Sequence, residues 1–200
     1  MTITERVKKR IEEMPTGEPF SPAVFLWFGP RAAIDQALSR LVRRGQIARV
    51  TRGLYVRPNE SRWVGKVPPA PEAIARALAE AAGAKVAVHG AEAARHFGLT
   101  TQVPTQPVFM TTGPSRRFKL GNLECSLKHT SARKLALAGR PAGLALSAMW
   151  YLGKGQVTPE VVKRIQSRLE PAEFEALQRA PLPAWMSEAI RTAEEEAERV

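Results

Sequence analysis

The stretch RAAIDQALSRLVRRGQIARVTRGLYVR, Arg31 to Arg57, decides the fold. It holds seven arginines against one acidic side chain, Asp35. Its period changes midway. From Pro30 to Arg44 the apolar residues Ile34, Leu38, Leu41 and Val42 fall on one side of a helix. Gly45 is placed to stop that helix, because glycine accepts the left-handed backbone of a C-terminal cap. Beyond it Ile47 and Val50, then Leu54 and Val56 across an Arg52-Gly53 turn, predict two short paired strands.

Two helices are expected upstream. Ile3, Val7 and Ile11 recur every four residues between Thr2 and Met14, and Pro15–Gly17 ends that run. FSPAVFLWFG offers Ser21 as an N-cap and Pro22 at the first helical position, and its apolar content points to the core. Helix, short helix, longer helix and hairpin is the order of a winged helix-turn-helix, expected over residues 1–58.

The chain is 200 residues long and 44% hydrophobic, enough for one or two cores. Its net charge is +11 and its pI about 10.5, which favours a polyanionic partner, nucleic acid before membrane. Residues 1–66 hold 13 Lys+Arg and 6 Asp+Glu, a net of +7. The other 134 residues hold 17 and 13, a net of +4, so the excess lies at the front. The lone Cys125 excludes an internal disulfide and a multi-cysteine zinc site, and is expected to be a buried, inert thiol. MTITERVKKRIEEM has no apolar core of a secretory signal, and no apolar run reaches a membrane span; a soluble cytoplasmic protein is expected.

Residues 59–71 are rich in proline and read as a linker. A mixed α/β domain ending in helices is expected over 72–200, which makes the whole an α+β protein. An alanine-rich helix spans Pro71 to Ala82; KVAVHG (85–90) reads as a strand and AEAARHFG (91–98) as a helix. QPVFMTTG and RRFKLGNLECSLK give three more strands, the last two joined at Gly121-Asn122. Helices follow over 142–152, 159–169, 171–180 and 183–200, most of them led by proline.

The basic helix and hairpin carry the chemistry. Opposite the apolar stripe lie Arg31, Gln36, Ser39, Arg40, Arg43 and Arg44. Arg31 and Gln36 sit near the helix N-terminus, the end that a recognition helix presents to base edges; arginine clamps guanine and glutamine adenine through paired hydrogen bonds. Arg40, Arg43 and Arg44 lie where contacts go to phosphate and set affinity and register. Arg49, Thr51 and Arg52 surround the hairpin tip, where a wing reaches a minor groove or the backbone.

Other constellations are weaker. His89, His96 and His129 are spread over 40 residues without the short spacing of metal ligands, so no metal site is expected. A magnesium-dependent nuclease needs a cluster of carboxylates, and residues 84–158 contain only Glu92 and Glu124, with Lys128 beside the latter. Arg116, Arg117 and Lys119, after TTGPS, form a second basic segment that suits either a nucleic-acid contact or a solvated turn. Trp27, Trp63, Trp150 and Trp185 stand singly and read as core or inter-domain packing.

The stretch FSPAVFLWFGPRAAIDQALSRLVRRGQIARVTRGLYV, with its SRLVRRG…RGLY element, resembles the winged-helix start of AbiEi-type antitoxins of type IV toxin–antitoxin systems. GAEAARHFGLTTQVPTQPVFMTTGPSRRFKLGNLECSLKHTSARKLALAG is similar to the second domain of that family. The likeness runs from about Thr2 to Trp185. It implies a repressor that binds repeats of double-stranded DNA in its own promoter, with self-association on DNA. It also implies a nucleotidyltransferase-like toxin as functional partner, opposed without a stable complex. The N-terminal domain would bind DNA and the C-terminal domain would support the antitoxin effect and assembly. The DNA-contact role carries over to Arg31, Gln36, Arg40, Arg43, Arg44, Arg49, Thr51 and Arg52; no catalytic residue, cofactor or enzymatic activity carries over. A stand-alone winged-helix regulator, a nuclease and an RNA-binding protein remain as alternatives.

Overall fold

The computed structural model describes residues 1–61 and 65–198. They form an α+β protein. The contacts divide it into two compact units, Met1–Gly83 with Arg117–Cys125, and Ala84–Arg116 with Ser126–Val200.

The first unit opens with α1, Ile3–Glu12. Thr2 caps it through a reciprocal box: its hydroxyl accepts from the Glu5 N–H at 3.2 Å, and the Glu5 carboxylate accepts from the Thr2 N–H at 2.7 Å. A two-residue strand, β1 (Pro19–Phe20), precedes a 3₁₀ segment over Pro22–Phe28, which Ser21 caps as expected. The segment is 3₁₀ rather than α-helical, and it is not wholly core: Pro22 and Phe25 are buried, whereas Val24, Leu26 and Trp27 face solvent. Helix α2 spans Arg31–Arg43 and buries Ile34, Ala37, Leu38 and Leu41. Its end is a Schellman motif, with the Gln46 N–H donating to the Leu41 carbonyl and the Gly45 N–H to that of Val42. Gly45 holds φ +69°, as that motif requires.

Strands β2 (Ala48–Thr51) and β3 (Leu54–Val56) form the expected hairpin, and β1 adds to the far side of β3, giving the order β1-β3-β2. Phe20 and Tyr55, opposite each other in the β1–β3 register, also stack their rings. The core of this unit joins Val7, Ile11, Phe20, Phe25, Ile34, Leu38, Leu41 and Ile47. Arg57 ties the sheet to α1: its guanidinium donates to the carbonyls of Glu12 at 2.6 Å and Met14 at 3.0 Å. One of the seven arginines is therefore a structural cap for orphan helix carbonyls.

The proline-rich stretch expected to be a plain linker contains an antiparallel pair, β4 (Asn59–Ser61) and β5 (Gly65–Val67). Helix α3 (Pro71–Glu80), expected to open the second domain, groups with the first unit and contacts β1 and β3. Helix α3 buries Ile74, Ala75, Leu78 and Ala79.

A four-stranded sheet has the order β6-β7-β9-β8, formed by β6 (Val86–Val88), β7 (Val108–Thr111), β8 (Arg116–Leu120) and β9 (Leu123–His129). β6 runs antiparallel to β7, and β7 parallel to β9. Gly121, at φ +59°, makes the β8–β9 turn.

The second unit carries α4 (Gly90–His96), α5 (Pro141–Leu152), α6 (Pro159–Gln166), α7 (Pro171–Gln178) and α8 (Ala184–Glu198). Its core joins Phe97, Leu146, Met149, Ile165, Phe174, Leu177 and Met186; Trp150 and Trp185 pack against it and edge to face on each other. The start of α5 is held by Glu173, which accepts from the Ala142 N–H at 2.9 Å and from Arg140 at 2.8 Å. The hydrogen bond from Arg140, then that from Ala142, holds the Glu173 carboxyl below its ordinary range. Small residues let the chain close up here. A Cβ on Gly143 would lie 2.0 Å from the Leu137 carbonyl oxygen, a backbone atom that has no rotamer to escape into. Gly143→Ala is expected to lower stability by about 2–3 kcal/mol, read as a shift of the urea midpoint at unchanged slope. A neutral result would mean that this turn is looser than drawn.

Candidate nucleic-acid interface

The interface candidate is built on α2 because its apolar stripe fixes which side faces out. At about 100° per residue the side opposite Ile34, Ala37, Leu38 and Leu41 is centred on Gln36, Ser39 and Arg43, all exposed. Arg31 and Arg40 stand on opposite flanks of this face, roughly 180° apart. Arg44 follows Arg40 by one turn. The structure thus puts the six predicted residues on one broad exposed arc, but it separates them into a centre and two flanks.

Arg31 is not a free cation. Its Nε donates to both carboxylate oxygens of Asp35 at 3.0 Å, an exposed pair one helical turn apart. Such a pair contributes about 0.2–1 kcal/mol and opens easily. Among the described residues Arg40, Arg43, Arg44, Arg49 and Arg52 form no ion pair, and all five are exposed. Arg49 pairs across the hairpin with Tyr55, and the register slips between Arg49 and Thr51, as a bulge does. Thr51 is half-buried at that irregularity, and Arg52 projects from the turn, where Gly53 takes φ +83°.

Trp27 departs from its expected place in the core: it is 75% exposed. Its ring stacks on Phe28 at 4.3 Å and its indole N–H donates to the Val24 carbonyl at 2.9 Å. With Val24 and Leu26 it makes an apolar patch just before α2. The signal was available in VFLWF, since five consecutive apolar residues on one short helical turn cannot all face one core. Trp63 lies outside the described residues.

The second basic segment is split by the strand pleat. Arg117 and Lys119 share one face of β8 and are exposed, while Phe118 is buried on the other. Glu124 lies 3.9 Å from Arg117. Glu92 is paired with Arg95 instead. Among the described residues no three His, Cys, Asp or Glu side chains converge as metal ligands. The histidines have separate local roles. His89 caps α4, His96 packs edge-on against Phe97, and His129 meets the Gly113 carbonyl at 2.9 Å. Cys125 is buried, and burial pushes its thiol pKa up, away from reactivity. Among the described residues no helix is long and apolar enough to cross a membrane.

Residues 6–177 match a family described as "Family of unknown function (DUF6088)", and the chain belongs to that family. No curated protein matches the sequence.

Proposed function

We propose that the chain is a sequence-specific double-stranded DNA-binding protein that represses its own toxin–antitoxin operon as a type IV, AbiEi-type antitoxin. In this reading α1, the 3₁₀ segment, α2 and the β2–β3 hairpin form a winged helix-turn-helix. α2 enters the major groove and the hairpin is the wing. The observation that carries the proposal is that Arg40, Arg43, Arg44, Arg49 and Arg52, on α2 and the hairpin that follows it, are all exposed and form no ion pair among the described residues. Gln36 and Ser39, at the centre of the exposed arc, address base edges. Arg31 does so from the flank after exchanging its weak Asp35 partner for guanine. Arg40, Arg43, Arg44, Arg49 and Arg52 address phosphate. Trp27 offers an aromatic face to the sugar–phosphate edge beside them.

Repression follows from promoter occlusion, with two copies on neighbouring half-sites. The antitoxin half of the proposal rests on the resemblance of residues 90–139. Its test is co-expression with a nucleotidyltransferase-like toxin: restored growth supports it, and unrelieved toxicity leaves a stand-alone regulator. The DNA half is tested at base resolution. Gln36→Ala is expected to relax preference at one or two base pairs, at a cost of about 1–3 kcal/mol on the cognate duplex, with binding to random duplex unchanged. Equal loss on both duplexes would remove Gln36 from base reading.

A further inference from the structure

We infer that the second unit holds a binding site for a small phosphorylated compound, in a cavity bounded by the start of α4, by α5 and by the segment after β9. The cavity measures about 140 Å³ and its walls include His89, Thr130, Lys134, Ser147, Trp150 and Tyr151.

Its polar lining is unusual for this chain. Among the described residues three polar side chains are buried: Thr111, Thr130 and Ser147. Thr111 is satisfied inside the sheet, donating to the Lys85 carbonyl at 2.9 Å and accepting from the Gly113 N–H at 3.0 Å. The other two both line this cavity. Hydroxyls on a cavity wall are satisfied either by water or by a ligand with acceptor oxygens that enters the cavity.

The remaining polar groups are donors too. The Lys134 ammonium lies 4.7 Å over the Trp150 ring, so an aromatic face rather than a carboxylate orients it. Among the described residues no acidic side chain lines the cavity. His89 accepts the Ala91 N–H on Nδ1 at 3.2 Å, which leaves Nε2 to carry the proton and donate. Burial, then the nearby Lys128, lowers the His89 pKa and keeps the ring neutral. The Trp150 indole N–H is buried without an acceptor among the described residues. One ammonium, two hydroxyls and the His89 ring N–H around a space without a carboxylate match the acceptor oxygens of a phosphoryl group.

Size and depth choose between sources of phosphate. The volume admits a phosphoryl group with a few attached atoms. Thr130 and Ser147, 9% and 7% exposed, present little surface to the backbone of a duplex. Tyr151 is partly exposed and packs edge-on to His89 at 5.9 Å, which gives the organic part of the compound an aromatic surface at the mouth.

The test uses the full chain and follows the Trp150 indole N–H resonance, with titration calorimetry alongside. The probes are inorganic phosphate, adenosine monophosphate and a blunt DNA duplex, at matched ionic strength. Saturable binding of the first two is expected, tighter for the monophosphate. Lys134→Gln should weaken it about tenfold and Ser147→Ala about threefold, with the ligand-free melting temperature of the second unchanged. Arg43→Gln/Arg44→Gln, which alters the proposed DNA surface alone, should bind phosphate as the parent does. Three results would overturn the inference: no saturable shift at millimolar phosphate, parental affinity in both cavity variants, or a Trp150 response to duplex but not to phosphate. Loss of phosphate binding in the Arg43/Arg44 variant would also overturn it, since the ion would then sit on α2.

Discussion

Changing Arg43 and Arg44 together to glutamine is expected to weaken duplex binding about 60-fold near 0.1 M salt and to flatten the salt slope by about two units. The number follows from counterion release. Each neutralised phosphate contributes about 0.9 to the slope of log K against log salt, hence about eightfold in affinity at tenfold dilution from 1 M. Both side chains are exposed, and neither is tied to a carboxylate among the described residues, so the folded state has little to lose from the change. Sequence preference should persist, because phosphate contacts position the protein without reading bases. Gel-shift titrations on cognate and random duplexes across a salt series measure both quantities. An unchanged slope would remove these two arginines from the interface.

The largest effect on stability is expected from Leu38→Ala. Leu38 is fully buried in the centre of α2 and packs in the same cluster as Phe25, Ile34 and Leu41. Removing its side chain costs the transfer free energy of the lost carbons and leaves a cavity, together about 3–5 kcal/mol. The first unit has a small core and so little reserve. The cognate duplex should partly rescue the variant, since binding stabilises only the folded form. Urea unfolding followed by circular dichroism, with and without duplex, measures this. A loss below about 1 kcal/mol would mean that α2 is not anchored by its apolar stripe, and the orientation of its basic face would lose its physical basis.

That anchoring was the part most legible in the sequence. The period of Ile34, Leu38 and Leu41 sets one side of α2 against the core, and the Gly45 stop and the Gly53 turn place the hairpin after it. The proline-led helices of the second unit were legible for a similar reason, because the fixed φ of proline suits a first helical turn. The two-residue β1 was not, since two residues show no alternation. The β4–β5 pair was hidden in a stretch whose prolines look like linker. The Arg31–Asp35 pair is legible in its i,i+4 spacing. The exposure of Trp27 runs against the usual packing of a lone tryptophan, and only the apolar run around it hints at it. The cavity could not be read at all: its walls come from four segments between His89 and Tyr151, and only the fold brings His89, Lys134 and Ser147 together.

In the proposed function the arginines of α2 and the hairpin hold duplex DNA while the residues between them select its sequence. Footprinting of the purified protein on the DNA upstream of its own gene, repeated across a salt series, tests it most directly. Protected repeats that outlast a random duplex as salt rises are expected, with a slope of about −4 to −5 from five phosphate contacts. Uniform protection without repeats, or a slope near zero, would contradict it.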